Sequence, residues 1–252
     1  MRPHRGVFIV VCAFMGGVGV AVTVRAQTPP SSTRISLNAG IQPASTTFDS
    51  STSEPVYLET AVVNSSYRVS RAPFFDGGVT VAMRNGLGVG LTVSWFSNRA
   101  DAAITAAIPH PFLFNSPRGL AATQGGLRRD ELAAHFQAVY IVRPIARLDI
   151  VVSGGPSLFK ATQEFISGVS FSETYPYDSA AFTGAASKQV TNHKTGFNLG
   201  ADVGIRLGRS AGVGGLVRFS RASVSFASPN ETTSVTVDVG GLQIGAGLRL
   251  YF

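Results

Sequence analysis

The strongest constraint on this chain is a period-two alternation at its C-terminal end. Leu242, Ile244, Ala246, Leu248, Leu250 and Phe252 alternate with Gly241, Gln243, Gly245, Gly247, Arg249 and Tyr251. Successive side chains of a strand point to opposite faces, so the pattern demands a strand with one apolar face and one small or polar face. The same pattern runs through 197–207, 87–95 and 132–142, and in shorter form through 35–41, 79–83, 148–152 and 213–219. Together these segments predict eight strands.

Their connections alternate in length. Short ones fall at 84–86, 144–146 and 208–212, and long ones at about 43–70, 108–127 and 167–192, with a modest one near 228–232. Short turns on one side, long loops on the other and an even strand count predict an outer-membrane barrel. Parity sharpens the first turn. Met83 must share a face with Leu87, which a three-residue loop from Arg84 to Gly86 satisfies, with Gly86 left-handed.

The composition of the two faces says which one is out. The less apolar face carries Gly88, Gly90, Gly155, Gly200, Gly204, Gly214, Gly245 and Gly247. Small residues gain nothing on a solvated face but fit the interior of a narrow eight-stranded barrel. The apolar face then meets lipid, as a closed spanning barrel requires. None of its positions is charged, and Trp95, Tyr140, Phe197, Phe219 and Phe252 fall on it towards strand ends, where interfacial aromatics gather. Charged residues make up 14% of the chain, against about 25% for an average soluble domain.

The formal net charge of +7 invites a nucleic-acid partner, but the basic residues form no cluster. The run Arg128-Arg129-Asp130-Glu131 is self-compensating and reads as a solvated strand end. Part of the charge belongs to the N-terminus. Arg2 and Arg5 precede an uncharged run from Gly6 to Val24, followed by Arg25-Ala26, the order of a secretory signal peptide. Cleavage after Ala26 removes three of the 21 Lys and Arg residues and the single cysteine, Cys12. An uncleaved anchor is the alternative. The expected organisation is a signal peptide at 1–26 and one barrel domain at 27–252.

With these residues in place, the chain resembles the small outer-membrane barrel family of the OmpA, OmpX and OmpW kind. The resemblance rests on the signal peptide and on the alternating strand Leu242–Phe252 with its aromatic carboxy-terminus. It implies an all-β, eight-stranded antiparallel up-and-down transmembrane barrel in the outer membrane, with both termini in the periplasm. It also implies that Leu248, Leu250 and Phe252 form the signal read by the barrel-insertion machinery. The implied partners are that machinery, outer-membrane lipid and lipopolysaccharide, the chain being a monomer that binds no nucleic acid.

Inside the barrel, Glu131, Asp149, Asp202, Arg206, Arg218, Gln243 and Arg249 fall on the inner face. A turn centred on Ser210 places Asp202 across from Arg218, with Gln243 beside Arg218 on the last strand. These residues make a hydrogen-bonded plug or, alternatively, a selective or gated conduit. No cofactor, metal or catalytic residue is expected. His110, His135 and His193 remain after cleavage; His193 near Ser187, or His110 near Ser116, could imitate a lipid-modifying enzyme's pair, the least favoured reading. The favoured function is a non-enzymatic outer-membrane protein with structural or surface-binding roles for its long loops. The alternative is a narrow channel for small or apolar solutes. The loops at 108–116 and 172–184, rich in aromatics and proline, are the candidate binding segments. The region 43–70 has its own alternation and extends strands one and two beyond the membrane.

Overall fold

The computed structural model describes residues 33–43, 45–228 and 234–252. The signal-peptide reading of residues 1–26 lies outside the described residues, as does most of the connection near 228–232. Ten antiparallel segments follow one another: β1 (Thr33–Gln42), β2 (Thr46–Val56), β3 (Glu59–Val69), β4 (Ala72–Ala82), β5 (Leu87–Ile108), β6 (Arg118–Ile145), β7 (Leu148–Ser172), β8 (Ala181–Arg206), β9 (Ala211–Ala227) and β10 (Ser234–Tyr251). The hydrogen-bonded order β4-β1-β10-β9-β8-β7-β6 is closed by pairing of β5 with both β4 and β6, which makes a ring. β2 continues from β1 and β3 leads into β4, so ten segments make eight staves. The barrel is all-β, antiparallel and up-and-down.

The register follows the alternation. Outward residues face outward residues across the seam, Ile35 against Leu250 and Leu37 against Leu248 on β1 and β10. Leu87 lies against Tyr140 on β5 and β6. At the end that holds the termini, the first turn has three residues. Met83 N donates to Leu87 O at 2.7 Å, and Asn85 and Gly86 both take left-handed backbone angles, φ 58° and 80°.

The opposite end, here the hairpin end, departs from expectation. The segments read as long loops at 43–70, 108–127 and 167–192 are mostly strand. β2 and β3 form a hairpin with a turn at Tyr57 and Leu58, both at positive φ. β5 runs on to Ile108 and β6 starts at Arg118, while β7 extends to Ser172 and β8 starts at Ala181. Among the described residues of these three segments, true loops are left only at 109–117 and 173–180.

The reason is a switch in polarity along single strands. On β5, Leu87, Val89, Leu91, Val93 and Trp95 point out and are exposed. Beyond Trp95 the same inward parity carries Phe96, Ala100, Ala102, Ile104, Ala106 and Ile108, all buried, while Ser97, Arg99 and Asp101 point out. On β9, Phe219 closes the apolar exterior; Ala222, Val224 and Phe226 then pack inside while Arg221, Ser223 and Ser225 face out. On β5 and β9 direction never changes; only the chemistry on each side does. An apolar exterior suits hydrocarbon, and a polar exterior around an apolar core suits water. The switch is marked outside by stacked Phe75 and Trp95 with ring centroids 6.2 Å apart, and by Phe197 and Phe219 at 6.0 Å.

Candidate functional site: the filled lumen and the clasped tip

The lumen holds polar layers stacked along the axis, each contributed by inward positions of several staves. Nearest the termini, Asp149 accepts from Arg143 Nε at 2.7 Å and from Arg206 Nε at 3.1 Å. The Arg206 guanidinium lies 4.1 Å over the Tyr251 ring. Above it, Asp202 accepts from Arg34 Nη1 at 3.0 Å and from Arg249 Nη2 at 2.5 Å.

In the third layer Asp76 accepts from Arg218 Nη1 at 2.7 Å and from Asn38 Nδ2 at 2.7 Å. Arg218 also donates Nε and Nη2 to Gln243 Oε1, at 3.0 and 2.7 Å. Gln243 passes the chain to Gln42, which donates to Gly240 O at 2.6 Å. On the facing wall His135 sits between Ser94 Oγ at 3.0 Å and Ser157 Oγ at 2.8 Å. A fourth layer pairs Arg129 with Glu131 at 2.7 Å, and Glu131 Oε2 accepts from Gly240 N at 2.8 Å.

Burial is nearly total beyond the layer nearest the termini, whose Arg143 and Arg206 side chains are 25% and 23% exposed: Arg218 is 1% exposed, Arg249 0%, Arg129 2% and His135 0%. A buried charge left unpaired is costly, and the layers respond by giving each carboxylate at least one arginine and Arg129, Arg218 and Arg249 a second acceptor. Beyond the fourth layer the filling turns apolar. Tyr67, Phe165 and Phe226 are fully buried, with Tyr67 stacked on Phe48 at 4.8 Å and Phe165 5.5 Å from Phe226. The Tyr67 hydroxyl accepts from Ile166 N at 2.7 Å, and burial pushes its pKa up.

At the hairpin end three turns are tied together. Arg118, only 6% exposed, pairs with Glu173 and donates to the carbonyls of Pro109 at 2.7 Å and Tyr177 at 3.0 Å. Tyr57 donates to Glu173, and Glu59 accepts from Asn115 N at 2.9 Å. His110 Nδ1 accepts from the amides of Phe112 and Leu113, both at 3.1 Å, and the Phe112 ring meets Tyr177 at 5.4 Å. This clasp holds out large apolar side chains: Leu58 is 95% exposed, Phe112 72%, Phe114 69% and Tyr175 86%.

Solved structures with the same course of chain exist. The outer membrane protein OprG from Pseudomonas aeruginosa superposes with a TM-score of 0.53 at 11% identity, over 88% of this chain and 96% of that one. The fold is that of a small outer-membrane β-barrel. Neisserial surface protein A is similar at 11% identity over 88% of this chain and 97% of its own, with a TM-score of 0.42. Ail, the attachment invasion locus protein of Yersinia pestis, solved with the heparin analogue sucrose octasulfate, is similar at 12% identity over 86% and 98%, with a TM-score of 0.34. No protein-family model matches the chain, and no curated protein matches it in sequence.

Within this small outer-membrane β-barrel, the inward residues named from sequence, Glu131, Asp149, Asp202, Arg206, Arg218, Gln243 and Arg249, all line the lumen, but not all with the expected partners. Gln243 does pair with Arg218 across β10 and β9. Asp202, however, lies opposite Leu216, and Arg218 opposite Gly200. The turn is centred one residue earlier than Ser210, since Arg206 pairs with Gly212, and one residue at the centre moves the register by two. Asp202 therefore serves Arg34 and Arg249, and Arg218 takes Asp76 instead.

The barrel also uses residues that sequence reasoning passed over: Arg34, Asn38, Gln42, Asp76, Arg129 and Arg143. Asp76 was detectable. Thr80, Gly78 and Asp76 keep one parity, but the adjacent Gly77-Gly78 reads as a turn. The run 128–131 is not simply a solvated strand end. Alternation sends Arg129 and Glu131 into the lumen and leaves Arg128 and Asp130 paired outside.

Neither imagined Ser–His pair forms. Ser187 donates to Glu164, Ser116 to the carbonyl of Phe114, and His193 N to Asn192 Oδ1. His135 does touch two serines, but among the described residues no hydrogen bond to a carboxylate accompanies them. Among the described residues no group of three or more His, Cys, Asp or Glu side chains converges as a metal site. Leu248, Leu250 and Phe252 lie on the outer face, 57%, 36% and 71% exposed.

Proposed function

We propose that the chain is an integral outer-membrane protein, non-enzymatic and monomeric, whose lumen is closed by its own side chains and whose clasped tip is the binding surface. The single observation that carries this reading is the unbroken filling of the axis, four charged layers followed by an apolar core. An arginine that is 1% exposed and held by a carboxylate and an amide leaves no room for a solute. In this arrangement the termini lie in the periplasm, the belt from Leu87 to Trp95 crosses lipid, and the hairpin end stands outside the cell. A stretch of about nine residues suits a tilted transmembrane strand. The signal peptide at 1–26 accounts for export, the terminal Leu248, Leu250 and Phe252 for recognition by the insertion machinery, and lipopolysaccharide is the lipid beside the upper rim.

Exposed apolar side chains on a stiff platform are the usual mark of a contact surface. Leu58, Phe112, Phe114 and Tyr175 supply such side chains, and Arg118 with Glu173 supplies the stiffness. A conduit for small apolar solutes is the second reading, favoured by the apolar character of the interior beyond the fourth layer.

Planar-bilayer recording from the purified protein, paired with a lipid A mass profile of a deletion strain, tests the proposal. The expected result is no steady conductance and an unchanged lipid A profile. A stable single-channel conductance would replace it with the conduit, and a shifted lipid A mass with an enzyme.

A further inference from the structure

Basic and acidic residues are not spread evenly along the barrel axis. Beyond the aromatic rim at the hairpin end they balance in number among the described residues, and every lysine of the chain lies there. In the middle Arg218 answers Asp76. Among the described residues the excess of positive charge is all at the termini end. There the mouth holds Arg34, Arg143, Arg206 and Arg249 against Asp149 and Asp202, and the turns at 83–86, 145–147 and 207–210 add Arg84, Arg147 and Arg209 and no acidic residue.

The placement of the last three matters most. Around the ring, four stations lie at the termini end: the β4–β5, β6–β7 and β8–β9 turns, and the meeting of β10 with β1. Each of the three turns carries one exposed arginine, Arg84, Arg147 and Arg209 in that order. The fourth station carries the terminal Phe252. Each arginine adjoins apolar outward side chains at the foot of the belt: Met83 56% exposed, Ile145 64% and Leu207 70%. Their side chains make no hydrogen bond or ion pair among the described residues, although guanidinium is built for bidentate contact with phosphate oxygens.

We propose that Arg84, Arg147 and Arg209 form a collar that binds the headgroups of anionic phospholipids in the leaflet facing the termini. An arginine at the edge of an apolar wall keeps its stem on hydrocarbon and its head at the phosphate level. Three such heads, about a quarter turn apart, reach the surrounding lipid rather than one central ligand, which is why lipid is the occupant and not a single solute. A free basic residue near an anionic surface contributes enough for about fivefold selectivity at low salt, and screening removes most of it as salt rises. The inference rests on the membrane reading above and goes beyond it.

The test uses the full chain reconstituted in phosphatidylcholine vesicles containing spin-labelled phosphatidylglycerol or spin-labelled phosphatidylcholine. The fraction of motionally restricted label gives the relative association of each lipid. The expected result is about fivefold preference for phosphatidylglycerol, reduced by salt, lost in R84Q/R147Q/R209Q and retained in R84K/R147K/R209K. No preference in the unaltered protein, or a preference that the glutamine variant keeps, overturns the collar. Co-sedimentation with peptidoglycan sacculi that depends on the three arginines, without lipid preference, also overturns it and makes the partner a wall polymer. Restricted phosphatidylcholine around the same samples reports insertion separately; its absence would refute the membrane reading rather than the collar.

Discussion

Arg218 and Asp76 meet across the lumen, Nη1 to Oδ2 at 2.7 Å, with each side chain 1% exposed. They stand on β9 and β4, with β10 and β1 between them in the ring, so the contact exists only because the sheet curls into a barrel. Asp76→Ala leaves a buried guanidinium with Gln243 alone and should cost about 3–5 kcal/mol. Replacing both partners, Asp76→Leu with Arg218→Met, should cost clearly less, because no charge is then stranded. Urea unfolding of the refolded protein in lipid vesicles measures both. A double variant as unstable as the single one would show that packing, not charge, sets the cost.

The polarity switch on β5 makes two outward positions of one strand respond differently to the same change. Leu91 lies within the belt, and Leu91→Arg should destabilise the inserted protein by about 2–4 kcal/mol. Ala103 lies beyond Trp95 on the same face, exposed between Thr123 and Ser66; Ala103→Arg should stay within about 0.5 kcal/mol. Equal costs at the two sites would mean that the belt does not end at Trp95.

The barrel was legible in the sequence because lipid imposes one rule on a long stretch, and the rule leaves a strict alternation from Leu242 to Phe252. The hairpin end was harder to read for the same reason. Above the rim the exterior turns polar and the interior apolar, so Ala121 and Thr123 beside Leu120 and Ala122 look like part of a loop where an apolar exterior is sought. The unchanged parity from Leu87 to Ile108 was the available clue. The turn at Tyr57 and Leu58 gave none, since neither residue is usual at positive φ. In the lumen, inward residues could be named from parity, but their partners depend on register. Asp202 and Arg218 show how one residue of turn position redirects both.

A second class of constraint sits where the polarity switch reaches β10. Gly240 has φ +87°, and a Cβ there would lie 2.4 Å from the carbonyl oxygen of Ser220. Its own amide and carbonyl serve Glu131 and Gln42. Gly240→Ala should therefore destabilise by at least about 1–3 kcal/mol and loosen the fourth layer. At Gly215 the nearest atom to such a Cβ is the carbonyl oxygen of Gly245 at 3.7 Å, so Gly215→Ala should fold normally. Heat-modifiable gel mobility separates the two. A Gly240→Ala barrel as heat-resistant as the unaltered protein would refute the constraint.

The clasp at the hairpin end should open at both extremes of pH. Desolvation pulls the Glu173 carboxyl up, but hydrogen bonds from Tyr57 and Arg118 outweigh it and hold its pKa below the ordinary carboxylate range. A group whose folded pKa is depressed contributes stability above its unfolded pKa and loses it as pH falls through the folded one. Tyr57 is shifted upwards, first by its hydrogen bond to Glu173, so its contribution is present at neutral pH and lost as pH rises through the raised value. The tip should thus stay closed throughout the range between the ordinary carboxylate and phenol values, about 4.3 and about 10, and open only below the depressed Glu173 value or above the raised Tyr57 value. Proteolysis at 173–180, followed by enzymes active at each pH, reads this directly. Glu173→Gln should weaken the clasp at neutral pH and abolish the acid limb, while Tyr57→Phe should abolish only the alkaline limb. Cleavage that is flat with pH in the unaltered protein, or an acid limb that survives Glu173→Gln, would exclude Glu173 as the residue that closes the tip.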